Sequence, residues 1–149
     1  MPRSYTKLTY HCTFSTKGRR QALYENMRAS LHAYMARIIN DDFGFAREIG
    51  GTADHVHILC DLRPKCEITT LMRRLKSLSS GWLHREFQQL ADFAWQEGYG
   101  AFSVSASVAG SVKRYIWDQE RHHKGLSFEE EFQRLLEKHG IDFQRKHLF

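Results

Sequence analysis

The first pattern along the chain is an alternation of apolar and polar residues from Tyr5 to Thr16. The apolar positions are Leu8, Tyr10, Cys12 and Phe14, and the polar positions are Lys7, Thr9, His11 and Thr13. Successive side chains of a β-strand point to opposite faces of a sheet, so a period of two residues indicates a strand. We therefore predict a half-buried strand with one apolar face.

Two later segments repeat apolar residues with the period of an amphipathic helix. They run from Glu25 to Asp42 and from Glu67 to Phe87. Between them, residues 44–50 and 54–62 have the composition of strands. The Gly50-Gly51 pair predicts the turn that joins these two strands in a hairpin, because glycine adopts the backbone angles of tight turns.

The C-terminal part adds one strand and two helices. The stretch "GYGAFSVSAS", residues 98–107, predicts a strand, and helical spacing follows at about 108–124 and 127–140. Ser127 and Glu130 have the spacing of a capping box at the start of the last helix. The order βαββαβ plus helices predicts an α+β fold with a ferredoxin-like, RRM-like antiparallel sheet. Two helices would cover one face of this sheet and leave the other face open.

Length and composition indicate a single domain. The 149 residues include no segment with the composition of a linker, so we predict one domain over residues 1–149 with a core at about 4–107. No apolar run approaches the about 20 residues that cross a bilayer, and no secretory signal is present, which favours a cytoplasmic location. The cysteines Cys12, Cys60 and Cys66 form no CxxC pair, so we expect them to be reduced and two of them to lie in the core. A net charge of +5 suits an anionic partner such as nucleic acid.

The stretch "ADHVHILCDL", residues 53–62, places two histidines in an otherwise apolar strand. His55 and His57 would point to the same face, the predicted open one, and could bind one divalent metal ion. The alternative is a pair of histidines on a half-exposed sheet that binds nothing. A metal site would therefore need a third ligand.

Tyr115 and Gln119 are the residues that could complete such a site. They are spaced i, i+4 on a predicted helix, so the hydroxyl and the amide project from one helix face. In isolation this spacing more often marks a packed tyrosine and a solvated glutamine.

Taken together, the His55-Val56-His57 strand and the "YIWDQ" helix at residues 115–119 resemble the single-tyrosine HUH transposases, which include insertion-sequence and REP-associated tyrosine transposases. The resemblance also includes "TKLTYHCTFSTKGRR" and "FAWQEGYGAFSVS" and covers nearly the whole chain. It implies that His55, His57 and Gln119 bind a divalent metal, Mg²⁺ or Mn²⁺. It further implies that Tyr115 is the nucleophile of an enzyme that cleaves and rejoins DNA strands through a 5′-phosphotyrosine intermediate.

The same resemblance implies the partners of the protein. The substrate would be single-stranded DNA with a hairpin at the ends of an element. The active form would be a homodimer in which the tyrosine helix of one subunit completes the metal site of the other. Basic residues that could line a DNA path by contacting phosphates are Lys17, Arg19, Arg20, Arg73, Arg74, Lys76, Lys113 and Arg114.

Three alternatives remain at this point. One is a domesticated REP-associated nickase that cleaves DNA without autonomous mobility. Another is a non-catalytic single-stranded nucleic-acid-binding module, because "EGYGAFSV" partly matches the RNP1 pattern, although Glu97 and Ala101 depart from it. A structural zinc protein is disfavoured, because the cysteines lack the spacing of zinc ligands.

Overall fold

The computed structural model describes residues 3–148, and the side chain of His122 lies outside this description. Its centre is a four-stranded antiparallel sheet with the order β2-β3-β1-β4. The strands are β1 (Thr9–Ser15), β2 (Gly44–Gly51), β3 (His55–Leu62) and β4 (Gly100–Ser103). The predicted α+β fold with this sheet is confirmed.

Helices lie on both faces of the sheet. They are α1 (Glu25–Asp42), α2 (Ile68–Glu86), α3 (Ala109–Trp117), α4 (Gln119–His122) and α5 (Phe128–Lys138). The first helix has the predicted bounds, and the second differs by one residue at each end. The helix predicted at about 108–124 is divided at Asp118 into α3 and α4.

The main core lies between the sheet and the pair α1 and α2. Val56, Ile58 and Cys60 of β3 belong to this core, together with Leu71 and Leu75 of α2. All three cysteines are free, and Cys12 and Cys60 are buried in this core, as predicted. Within residues 3–148, the structure contains no helix long and apolar enough to cross a membrane.

The second face of the sheet is covered, so the prediction of an open face was wrong. The polar side of β1, which we predicted to face solvent, is buried: Thr9, His11 and Thr13 are at most 4% exposed. A second apolar cluster covers this face and consists of Phe102, Phe128, Phe132, Leu136 and Leu148. The cause is α5, whose apolar stripe must pack on another surface. It packs on the face of the sheet that α1 and α2 do not cover.

The Gly50-Gly51 pair lies inside β2 rather than in the turn. Gly50 pairs with His57 and Gly51 pairs with Val56, so residues 52–54 form the turn instead. A Cβ atom on Gly50 would lie 2.3 Å from the backbone oxygen of Ile116. The glycine is therefore needed for the close approach of α3 to the sheet and not for a turn. On the same edge strand, a β-bulge interrupts the pairing between Ala46 and Glu48.

Candidate metal centre beside a tyrosine

The two histidines of β3 meet at one buried point. Both side chains are fully buried, and they lie on the face opposite to Val56 and Ile58. The Nε2 atom of His57 is 2.8 Å from Oε1 of Glu131, and Nε2 of His55 is 3.7 Å from the same oxygen. The alternation of the strand therefore produces a histidine pair with convergent Nε2 atoms.

Polar groups contact Nδ1 of both histidines, the outer ring nitrogen that does not face Glu131. Nδ1 of His55 is 2.8 Å from Oδ1 of Asp54, and Nδ1 of His57 is 2.7 Å from Nε2 of His11. Burial lowers the pKa of His57 below its usual value and lowers the pKa of His11 to about 3, so both rings are neutral at pH 7. A carboxylate or imidazole partner on the outer nitrogen is the arrangement that orients metal-binding histidines.

Tyr115 and Gln119 reach the same point from the other side. Although the helix is divided at Asp118, the two side chains still project together. Oε1 of Gln119 is 2.7 Å from Nε2 of His55, and the amide nitrogen of Gln119 donates to Oε2 of Glu131 at 3.2 Å. The Tyr115 hydroxyl donates a hydrogen bond to the same Oε2. Burial and the neighbouring carboxylate raise the pKa of Tyr115, so its hydroxyl is protonated at pH 7.

Glu131 lies at the centre of this cluster, and the sequence analysis did not identify it. The capping box formed by Ser127 and Glu130, predicted from the sequence, is present at the start of α5. Glu131 is 2% exposed and interrupts the apolar stripe that includes Phe128 and Phe132. The sequence does contain a signal for Glu131, which is an acidic residue in the apolar stripe of a helix. Such a residue indicates a polar site, because a buried carboxylate needs charged or polar partners.

The surroundings of Glu131 keep it ionised. Burial alone would raise its pKa, but the interactions of the carboxylate with His57 and His123, with a further contribution from His55, outweigh this effect. The pKa of Glu131 is therefore well below its usual range. Nε2 of His123 lies 3.1 Å from Oε1 of the carboxylate.

The cluster has the chemistry of a metal site. His55, His57 and Glu131 each offer one ligand atom, and these atoms lie within 4.8 Å of one another. Imidazole nitrogen combined with carboxylate oxygen is a ligand set for first-row divalent ions. Gln119, the predicted third ligand, contacts this set, because its Oε1 atom lies 2.7 Å from Nε2 of His55.

A cavity of about 660 Å³ opens beside Tyr115 between α3 and α5. Val108, Val112, Arg134 and Lys138 contribute to its walls. The cavity is a route from solvent to the tyrosine, and the side chains of Arg134 and Lys138 bring positive charge to it.

The eight predicted DNA-contacting residues are divided between the two sides of the sheet. Lys113 and Arg114 are exposed on α3, next to the cluster. Arg19 pairs with Glu129 of α5, and Arg20 pairs with Asp92. Lys17 is exposed in the 3₁₀ turn Lys17–Arg19.

The basic residues of α2 lie with that helix, on the far side of the sheet from Tyr115. Arg74 pairs with Asp42, Lys76 donates to the backbone oxygen of Gln96, and Arg73 is exposed. A single DNA path along all eight residues stays a prediction.

The covered face also bears on the nucleic-acid-binding alternative. Phe102 of β4 is 3% exposed and stacks on His139, with ring centroids 4.3 Å apart. This aromatic ring is used in packing and is not available as a platform for bases. Tyr99 packs against the main core, on the other face from the histidines.

Known proteins resemble this chain in sequence and in fold. Residues 4–119 match the family model described as "Transposase IS200 like". The transposase of insertion sequence element IS200 from Salmonella typhimurium is 30% identical over 121 residues, which cover 77% of this chain and 78% of the relative. The IS200 transposase of Salmonella typhi has the same identity and coverage.

Two solved structures share the fold. A candidate transposase from Deinococcus radiodurans R1 superposes with a TM-score of 0.63 and 24% identity, over 80% of this chain and 96% of the other. A REP-associated tyrosine transposase bound to a REP hairpin superposes with a TM-score of 0.62 and 16% identity, over 83% of this chain and 73% of the other.

Proposed function

Because the chain belongs to the IS200-like transposase family, we propose that it cleaves and rejoins single-stranded DNA through a 5′-phosphotyrosine intermediate formed on Tyr115. One observation carries this proposal. The Tyr115 hydroxyl and Nε2 of His57 bind the two oxygens of one buried carboxylate, so a nucleophile lies directly beside a candidate metal site.

A divalent ion, Mg²⁺ or Mn²⁺, fits the donor atoms of the cluster. His55, His57 and Gln119 would hold it, as the family resemblance implies. When bound, the ion would supply positive charge that polarises a scissile phosphate. Asp54 and His11 fix the rings of the two histidines from behind, so the metal-binding nitrogens are oriented before an ion arrives.

Tyr115 performs the covalent step. Its oxygen forms a bond to the phosphorus of the scissile phosphate, which stays on the 5′ end of the downstream fragment, and the bond from phosphorus to the 3′ oxygen of the upstream fragment is broken. The phenol loses its proton, and the leaving 3′ oxygen gains one. In the reverse reaction a 3′-hydroxyl attacks the phosphotyrosine and Tyr115 regains its proton. One phosphoester replaces another in each direction, so rejoining needs no nucleotide cofactor.

Hairpin DNA is the substrate that we propose. The similar tyrosine transposase noted above is bound to a REP hairpin, which supports this choice. The cavity beside Tyr115 gives a single strand access to the nucleophile, and exposed Lys113 and Arg114 could contact its phosphates.

The test is the formation of a covalent adduct. Single-stranded hairpin DNA with randomised flanks and a label at its 3′ end is incubated with the protein and Mn²⁺, and the products are separated on a denaturing gel. We expect a labelled protein band with the wild type and none after removal of the metal with EDTA. The 3′ label is essential, because a 5′-phosphotyrosine retains the 3′ part of the strand.

Tyr115→Phe should form no adduct, because it removes the nucleophilic oxygen and keeps the ring. Tyr99→Phe is the matched control, since Tyr99 packs on the other face of the sheet and should be dispensable. An adduct that persists in Tyr115→Phe would show that another residue is the nucleophile, and the proposed mechanism would have to be abandoned.

A further inference from the structure

We propose that Glu131 is a metal ligand, contributed to the site by a helix that lies beyond the transposase-like segment. The inference rests on the proposed function and extends it. Helix α5 begins at Phe128, whereas the family model matches residues 4–119. A ligand in this helix would therefore complete the metal site from outside the segment that the family model describes.

The position of Glu131 is the first argument. Its Oε1 atom lies 2.8 Å from Nε2 of His57 and 3.7 Å from Nε2 of His55. Oε1 of Gln119 is 2.7 Å from Nε2 of His55. Two nitrogens and two oxygens from three separate elements thus surround one small buried volume, as the ligands of a single ion do.

Charge is the second argument. The predicted set of His55, His57 and Gln119 is neutral when it binds an ion, and it places the ion in a buried environment. Mg²⁺ and Mn²⁺ are hard cations that prefer carboxylate oxygens. Glu131 supplies the negative charge that this set lacks, and its 2% exposure means that solvent does not weaken the attraction.

The second carboxylate oxygen links the ligand to the nucleophile. Oε2 accepts hydrogen bonds from the Tyr115 hydroxyl and from the amide of Gln119. One side chain of α5 therefore contacts both the histidine pair and the tyrosine. The docking of α5 would set the distance between the ion and Tyr115.

The experiment measures Mn²⁺ affinity by isothermal titration calorimetry and by the electron paramagnetic resonance signal of free Mn²⁺, without DNA. Glu131→Gln keeps the size of the side chain and removes its charge. We expect its Kd for Mn²⁺ to rise at least tenfold. Glu137→Gln is the matched control, because Glu137 is an exposed carboxylate in the same helix, and its Kd should equal that of the wild type.

Two results would overturn the inference. An unchanged Kd in Glu131→Gln would show that the carboxylate does not bind the ion. A lower Kd would show that the carboxylate occupies the place of the ion and excludes it. His57→Ala separates the inference from the proposed function: if this variant loses Mn²⁺ binding and Glu131→Gln does not, only the role of Glu131 fails. A wild type that binds no Mn²⁺ would overturn both.

Folding is checked by thermal denaturation in EDTA and in Mn²⁺. Bound Mn²⁺ should raise the Tm of the wild type, because a ligand of the native state stabilises it. This rise should be much smaller in Glu131→Gln. If Glu131→Gln does not fold, Glu131→Asp keeps the charge and moves it by one methylene. We then expect a higher Kd than that of the wild type, and an equal Kd would count against a ligand role.

Discussion

His11 is not a predicted ligand, but it contacts the outer ring nitrogen of one, His57. Its ring lies between His57 and Phe102, with centroid distances of 5.0 and 6.0 Å. When Nε2 of His57 binds an ion, the proton of that ring must be on Nδ1, which then donates to Nε2 of His11. His11 can accept this proton because its ring is neutral, with a pKa of about 3.

We predict that His11→Phe weakens Mn²⁺ binding about 10- to 100-fold, the usual effect of losing a partner behind a ligand. Phenylalanine keeps the aromatic packing and removes both nitrogens. Calorimetry of Mn²⁺ binding checks the prediction, with His139→Phe as a control, because His139 is exposed and stacks on Phe102 rather than on His57. Equal affinities of His11→Phe and the wild type would show that His57 needs no partner on its outer nitrogen.

Residue types and spacing predicted which side chains form part of the candidate site. His55 and His57 alternate on a strand, and Tyr115 and Gln119 are one helical turn apart, so local geometry predicted which side chains share a face. The structure brings all four together. Glu131 and His11 were missed because each reaches the site through long-range packing, which no local spacing encodes.

At the scale of elements, the approach of α3 to β2 controls where Tyr115 lies. A Cβ atom on Gly50 would overlap the backbone of Ile116, the residue after the tyrosine. Neither backbone can yield without moving the helix. We predict that Gly50→Ala lowers the free energy of unfolding by about 1–3 kcal/mol, the usual cost of overpacking, and reduces adduct formation.

Urea denaturation checks this prediction against Gly110→Ala in the same helix. Gly110 is exposed, and a Cβ atom there meets nothing within 4 Å, so alanine should stabilise α3 by up to about 1 kcal/mol. If both variants lose stability equally, the contact between Gly50 and Ile116 is not the cause.

The sequence predicted most elements because their signals are local. Helix α1 has the predicted bounds, and the capping box of α5 lies where Ser127 and Glu130 indicated. The face on which α5 packs was not predictable in this way. The apolar residues of that helix require some partner surface, but the choice of the sheet depends on contacts between residues that are far apart in sequence.

At the scale of the whole molecule, one chain contains all the parts of the candidate site. Tyr115, His57 and Glu131 contact one another within a single copy. The resemblance predicts a dimer with shared sites, which would require α3 to pack on a partner, whereas these contacts predict a site within one chain.

Mixing two inactive variants distinguishes the arrangements. His57→Ala keeps the tyrosine, and Tyr115→Phe keeps the histidine pair. Since the parts already meet in one chain, we expect no adduct when the two variants are combined. An adduct on a size-tagged His57→Ala chain would contradict this expectation and establish that two subunits share the site.

The bulge in β2 has a consequence for how copies of the chain can meet. An edge strand with regular hydrogen-bonding groups is a template on which another strand can add. Between Ala46 and Glu48 the extra residue breaks this regularity and strengthens the local twist. The opposite edge, β4, has four residues. Strand-by-strand growth into a continuous intermolecular sheet, the first step toward fibres, therefore has a poor starting point at either edge of this molecule.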